Sequence, residues 1–188
     1  MLKNNKTALV LCGHGSSFDS YKQDFERSHK FIKKKIHIGC YVCFIEKNEP
    51  NIENCLRSIK KKGVEKVFFF PFLLFNGEHF ENDIKIEIRK LSISLKLEIK
   101  LIDKISLTKE VIPIMEKKVL KILKTNKRNI LVTFCSGSNN PKVGAELKKY
   151  TQKLAEKISI VQAYSYFVGE EDKFMRKIKK FENENFFL

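Results

Sequence analysis

No stretch of this chain stays apolar long enough to cross a bilayer. Its longest apolar run, Val67–Leu74, is broken by Pro71, whereas a spanning helix needs about 20 such residues. The beginning, Met1 to Lys6, is short and polar, so neither a signal peptide nor a membrane span is expected and the default address is the cytoplasm. Cysteine is sparse and odd in number. Five residues without framework spacing argue against a disulfide scaffold and for free thiols in a reducing compartment. Cys40 and Cys43 form a C-x-x-C, but an offset of three in a strand points them to opposite faces, and no shared metal is expected there. Arginine is missing between His14 and Arg27, which deprives a phosphohistidine site of its guanidinium cradle. No RNA-binding motif with the expected aromatic spacing is present either, so neither nucleic acid nor membrane is an expected partner.

What is present begins with length and charge. At 188 residues the chain can build one complete α/β domain with a sizeable core but is short for two. Lys plus Arg number 37 against 22 for Asp plus Glu, a formal net charge of +15. An acidic partner fits that balance, whether nucleic acid, anionic membrane or a polycarboxylate. Lys, Asn, Ile and Phe are over-used throughout, as compositional drift would also produce, so charge alone decides nothing.

Ala8 to Cys12 is an apolar run stopping at a Gly-containing turn, as a buried parallel strand does. Phe18, Tyr21, Phe25, Ile32 and Ile36 then recur at helical spacing between Lys and Arg, giving an amphipathic helix. His29 lies on that stripe and reads as a satisfied, partly buried side chain; His37 reads as solvated. Ile38–Ile45 is the next strand, 50–62 a helix opened by Pro50 and closed by Gly63, and Val67–Phe70 a third strand. A helix over 80–90, a strand over 97–102 and a helix over 108–124 complete the first unit. Strands alternating with helices predict a parallel sheet covered on both faces, with ligands at the carboxyl ends of its strands.

From Asn129 the pattern restarts. Asn129–Cys135 reads as a strand, 143–157 as a helix and 160–167 as a strand. An offset of 122 residues places Gly15 on Gly137, Ser16 on Ser138, Ile36 on Ile158 and Glu49 on Glu171 without a gap. This is an internal repeat, and a repeat has to be recognised before a fold is assigned. The same offset puts Ser136 where His14 stands and Val168 where Glu46 stands. Residue 188 falls on 66, so the second copy is expected to stop before its third strand. The expected division is a complete lobe over 1–125 and a partial, degenerate lobe over 126–188, with a homodimer, a flanking arrangement or a longer parent chain completing the latter.

Three segments carry the chemistry. His14 stands in Gly13-His14-Gly15-Ser16, Glu46 in Phe44-Ile45-Glu46 with Pro50 four residues on, and His79 in Gly77-Glu78-His79 with Asp83-Ile84 following. Two imidazoles and a carboxylate, each beyond a predicted strand, form a site that can hold a metal and accept protons. Together with Val10-Leu11-Cys12 and the Phe70-Pro71-Phe72-Leu73-Leu74-Phe75-Asn76 stretch, these segments resemble sirohydrochlorin chelatases of the CbiX/SirB type. A lone Gly-His-Gly-Ser is a weak signal; all three in order are a strong one. The resemblance covers about Thr7 to Lys124, and the repeat is similar to two-lobed forms in which one lobe keeps the histidines.

The resemblance implies an α/β, flavodoxin-like lobe that inserts Fe²⁺ or Co²⁺ into sirohydrochlorin without ATP, leading toward sirohaem or cobalamin. The missing Walker-type loop agrees with that. No permanently bound cofactor is expected; the metal, Fe²⁺, Co²⁺ or Ni²⁺, is a substrate. A tetrapyrrole loses two pyrrole protons as it gains M²⁺, and neutral imidazole both ligates such metals and takes protons near neutrality. His14 and His79 are the expected metal ligands, with Glu46 balancing charge or relaying protons as the third catalytic group. Two histidines and a carboxylate leave coordination positions open, as transfer requires. Asp83, one helical turn past His79, is the expected orienter of that imidazole. Phe72, Leu73 and Leu74 are candidates for an apolar wall against the macrocycle, packing beneath the loop being the competing account. Ser16, Ser17, Asn76 and Gly77 are candidates for holding substrate carboxylates, with helix capping as the alternative. Sirohydrochlorin carries eight carboxylates, which gives the basic balance a use in capture. Two rivals stay open: a flavodoxin-like phosphate or nucleotide binder using the turn's N–H groups, and a non-enzymatic tetrapyrrole or metal carrier.

Overall fold

The computed structural model describes residues 6–75, 84–123, 129–136, 140–179 and 185–187. Its two compact units are Met1–Ile105 and Ser106–Leu188. None of the described helices is long and apolar enough to cross a membrane.

In the first unit, β1 (Thr7–Gly13), β2 (Gly39–Phe44), β3 (Lys66–Pro71) and β4 (Glu98–Leu101) form a parallel sheet in the order β2-β1-β3-β4. Helices α1 (Asp19–Lys35), α2 (Ile52–Lys61) and α3 (Lys85–Ser94) connect them. This is the expected α/β architecture, with the strand order of a flavodoxin-like sheet. Alternation along β1 decides the two cores. Ala8, Val10 and Cys12 face the layer of α2 and α3, where Ile52, Cys55, Leu56, Ile59, Ile88 and Leu91 are buried. Leu11 faces the opposite way, onto Phe25 of α1 with Cys40 and Phe44. Cys40 and Cys43 thus lie in different cores.

Local chemistry explains the boundaries. Helix α2 starts at Ile52 rather than Pro50 because the Asn51 side chain caps it, its Oδ1 accepting the Asn54 amide at 2.8 Å. Gly63, with φ +81°, ends it. Helix α3 runs on past the expected end at 90 because Leu91 continues the buried spacing begun by Ile84 and Ile88. Phe18, expected on the apolar stripe of α1, precedes the helix and is exposed, as is Phe31. His29 is partly buried and its Nε2 meets the Cys40 carbonyl at 3.1 Å.

The second unit opens with a π-helical stretch, Leu107–Val111, running into α4 (Ile112–Val119). The sequence pattern reads as one continuous α-helix there. Pro113 accounts for the difference, since it lacks the amide that an unbroken α-helix would direct to Lys109. Helix α4 packs on α5 within this unit, which begins at Ser106. Then come β5 (Asn129–Cys135), α5 (Pro141–Lys157), β6 (Gln162–Phe167), α6 (Glu171–Ile178) and β7 (Asn185–Phe187).

Their parallel sheet has the order β6-β5-β7, which repeats β2-β1-β3. The offset of 122 carries β1 onto β5 and α1 onto α5 end to end. Two details differ from expectation. The second copy does have a third strand: β7 pairs with β5 through Asn129↔Asn185, Ile130↔Phe186 and Leu131↔Phe187. It arrives early because only three residues separate β6 from α6, where seven separate β2 from α2. The offset also grows by one in β6, since Ala8 pairs with Gly39 but Ile130 pairs with Gln162.

Candidate active site

Two strand ends and a tight turn bring His14 and Glu46 together. The β1–β2 ladder continues past both strands through Ile45 N–H to Gly13 O and Glu46 N–H to His14 O, each 3.0 Å. Adjacent parallel strands therefore deliver an imidazole and a carboxylate side by side at the carboxyl edge of the sheet, where such folds bind ligands. The third strand end joins them, with the Phe72 amide donating to Cys12 O at 2.7 Å.

The glycines flanking His14 allow this closeness. A Cβ on Gly13 would lie 2.6 Å from the Tyr21 hydroxyl and 2.8 Å from the Phe25 ring. Gly15 has φ +97°, and a Cβ there would stand 1.7 Å from the Glu46 carbonyl oxygen. Only glycine meets both the conformation and the approach.

His14 and Glu46 are each about two-fifths exposed, and His14 Nδ1 lies 3.5 Å from Glu46 Oε1. The same nitrogen is 3.2 Å from the Gly15 carbonyl oxygen. Two acceptors facing Nδ1 favour the tautomer protonated there, which leaves the lone pair on Nε2 as the ligating position. Lys47, with φ +60°, brings its ammonium to 3.7 Å from the same Glu46 oxygen.

Sequence reasoning missed the groups that fix the turn. The Tyr21 hydroxyl accepts the Gly15 amide at 3.3 Å and also meets the His14 backbone. Half-burial pushes that phenol above its ordinary range, and the amides of Gly15 and His14 partly offset the rise. Asn48 Oδ1 accepts the Ser16 amide at 2.7 Å, while the Asn48 amide donates to Glu46 O, also at 2.7 Å. Tyr21 reads from sequence as a core residue and Asn48 as a spacer between Glu46 and Pro50. The one available signal was the presence of polar groups beside a glycine turn whose amides need partners. With the amides of Gly15 and Ser16 engaged, the turn is not a vacant anion cradle, which weighs against the phosphate-binding reading.

The remaining candidates divide. Ser16 Oγ accepts the Phe18 amide at 3.1 Å in a local turn ahead of α1 rather than capping the helix, and Ser17 is exposed. Phe72 packs edge-on against Phe25 and Phe70, at 5.7 and 5.8 Å between ring centroids. Leu73 packs on the other core, so Leu74 is the exposed member of the proposed apolar wall. Lys104 Nζ donates to Leu74 O at 2.9 Å and ties down this segment. His79, Asn76, Gly77 and Asp83 lie outside the described residues. Among the described residues no group of three or more His, Cys, Asp or Glu side chains is gathered to hold a metal. Cys12, Cys43 and Cys55 are buried behind the turn, and burial pushes the Cys43 thiol well up, which makes it a core group.

Comparison with known proteins matches residues 8–122 to the CbiX family. The chain is 31% identical over 94 residues to a sirohydrochlorin ferrochelatase of Priestia megaterium, covering 48% of this chain and 34% of that protein. It is 27% identical over 115 residues to a sirohydrochlorin cobaltochelatase of Sulfolobus acidocaldarius, covering 61% of this chain and 91% of the relative. The chain thus spans about a third of one relative and nearly all of the other. The fold is similar to that of SirB from Bacillus subtilis with Fe³⁺, with a TM-score of 0.83 and 21% identity over 96% of this chain and 74% of that one.

Proposed function

The chain belongs to the CbiX family, and from that membership we propose that it inserts a divalent metal, Fe²⁺ or Co²⁺, into sirohydrochlorin. The observation that carries this reading is the half-exposed His14–Glu46 pair, 3.5 Å apart at the carboxyl edge of the sheet. Two matching relatives bear the names ferrochelatase and cobaltochelatase, which fits a site that accepts either metal.

The reaction exchanges M²⁺ for two pyrrole protons, so charge is conserved and neither ATP nor a redox partner enters the balance. His14 offers Nε2 to the incoming metal while its Nδ1–H faces the Gly15 carbonyl and Glu46. Glu46 supplies the negative charge that draws the cation in and is the proposed relay for a pyrrole proton. His79 is the proposed second nitrogen ligand, with Asp83 orienting it. A site this open holds metal loosely, and the macrocycle's four nitrogens then take it. Leu74 is the proposed apolar contact for the ring, and Ser17, Asn76 and Gly77 are proposed contacts for its carboxylates. Five free thiols suit a reducing compartment such as the cytoplasm, where Fe²⁺ also persists.

The test is an anaerobic absorbance assay of sirohydrochlorin with Fe²⁺, Co²⁺ or Ni²⁺ at catalytic protein concentration. Turnover above the spontaneous rate, lost in His14→Ala and His79→Ala, is the expected result. Tight binding of tetrapyrrole without turnover would replace the enzyme with a carrier.

A further inference from the structure

One charged group at this site has no place in the reaction as described. Lys47 follows Glu46 directly and holds φ +60°, a left-handed conformation that non-glycine residues adopt at a cost and that often marks a functional turn. Its effect is to fold the side chain back, so that Nζ lies 3.7 Å from Glu46 Oε1. That oxygen is the one that also faces His14 Nδ1 at 3.5 Å. The backbone beneath is pinned on both sides, by Asn48 N–H to Glu46 O and by Ser16 N–H to Asn48 Oδ1, each 2.7 Å. The turn is thus fixed while the Lys47 side chain, 56% exposed, can swing.

Resting on the chelatase reading, we propose that Lys47 is a specificity residue that exchanges partners: its ammonium holds Glu46 while the metal is absent and binds a carboxylate of the tetrapyrrole once the metal takes its place. A divalent cation drawn to Glu46 meets a positive charge on the same oxygen, and relieving that repulsion expels the lysine side chain. The expelled ammonium then stands at the rim of the site with no anion, where a substrate bearing many carboxylates supplies one. Metal and macrocycle are coupled through one charge. The lysine weakens metal binding when the protein is alone and strengthens macrocycle binding when metal is present, which favours release of the metal into the ring over its retention by protein.

The experiment measures Co²⁺ binding to the full-length chain by calorimetry, without tetrapyrrole, and then steady-state kinetics with sirohydrochlorin. In Lys47→Gln, Co²⁺ should bind about three- to tenfold more tightly at low salt, while KM for sirohydrochlorin rises about threefold or more and kcat moves less. Lys47→Arg should restore both within about twofold. Lys47→Asn, which tolerates the left-handed backbone, should behave like Lys47→Gln and separates charge from turn geometry. An unchanged Co²⁺ affinity, or an unchanged KM, in both neutral variants would overturn the proposal. His14→Ala distinguishes the two levels of argument. If it abolishes Co²⁺ binding while Lys47 variants change nothing, the lysine exchange alone is wrong; if wild type and His14→Ala bind Co²⁺ alike, the metal site is wrong and the exchange falls with it.

Discussion

Replacing Gly15 with alanine tests the geometry of the site most directly. The added Cβ would lie 1.7 Å from the Glu46 carbonyl oxygen, whereas real Cβ contacts essentially never fall below 3.0 Å. The clash is with backbone, so no side chain can rotate out of the way. The β1 turn and the β2 turn must therefore separate, and three hydrogen bonds cross or brace that gap: Glu46 N–H to His14 O, Ser16 N–H to Asn48 Oδ1 and Gly15 N–H to Tyr21 Oη. Each contributes about 1 kcal/mol net. A left-handed alanine adds roughly 1–2 kcal/mol. With partial relaxation the expected loss is about 3–5 kcal/mol, a large fraction of the roughly 5–15 kcal/mol that holds such a domain together. Gly63→Ala is the internal control. It too has a positive φ, +81°, but nothing within 4 Å of the added methyl, so only the same conformational cost, roughly 1–2 kcal/mol, applies. Urea unfolding followed by circular dichroism measures both, and cobalt titration of the folded fraction should show at least a tenfold weaker site in Gly15→Ala. If Gly15→Ala loses no more stability than Gly63→Ala, the close approach of the two turns is wrong.

Other expectations follow from the same contacts. Asn48→Ala leaves the Ser16 amide without its acceptor and should cost about 1–2 kcal/mol with cobalt binding several-fold weaker; Asn48→Asp, which keeps the acceptor, should recover stability in the same urea titration. Phe69 is fully buried in the α2–α3 face of the sheet, and Phe69→Ala should lower stability by about 3–5 kcal/mol, read as a shift of the urea midpoint at unchanged slope. In a thiol titration under native conditions Cys135 should react first, because Cys12, Cys40, Cys43 and Cys55 are buried; all five should react in denaturant. Burial raises the Cys135 thiol above its ordinary range, so even that reaction should be slow at neutral pH and accelerate as pH rises.

Alternation and punctuation made most of the first unit legible. Ala8–Cys12 stopped at glycine, the helix stripes ran at spacings of three and four, and Gly63 closed α2, so the order of elements and the parallel sheet followed from sequence. What stayed hidden depended on contacts between segments distant in sequence. Tyr21 looked like a core residue because its ring does pack on Phe25, at 6.0 Å between ring centroids, and only the folded turn reveals what its hydroxyl accepts. Asn48 and Lys47 carried no periodicity and no motif. The Phe72–Leu74 segment is ambiguous for the opposite reason: apolar residues suit a wall or a core equally, and Phe72 and Leu73 are partly buried against the two cores while Leu74 is exposed.

The repeat gives the sharpest account of why only one copy can carry the chemistry. By simple offset Val168 occupies the place of Glu46. The ladder corrects this, because Val168 N–H bonds to Cys135 O at 2.9 Å just as Ile45 N–H bonds to Gly13 O. Val168 is therefore the counterpart of Ile45, and Gly169 that of Glu46. Gly169 has φ +99°, so the chain of the second copy turns at the position from which the first copy presents its carboxylate. The nearby acids are already engaged: Glu170 accepts the Phe167 amide at 2.9 Å and pairs with Lys173 at 2.6 Å, and Glu171 accepts the Gly169 amide at 3.0 Å. At the place of His14 stands Ser136, a poor ligand for Fe²⁺ or Co²⁺. Restoring a histidine at 136 alone would leave it without a carboxylate opposite. Ser136→His should accordingly bind no additional cobalt by calorimetry, while the double change Ser136→His with Gly169→Glu should strain the turn at its left-handed residue; a second cobalt equivalent in the single variant would show that strand-end placement suffices without the paired carboxylate.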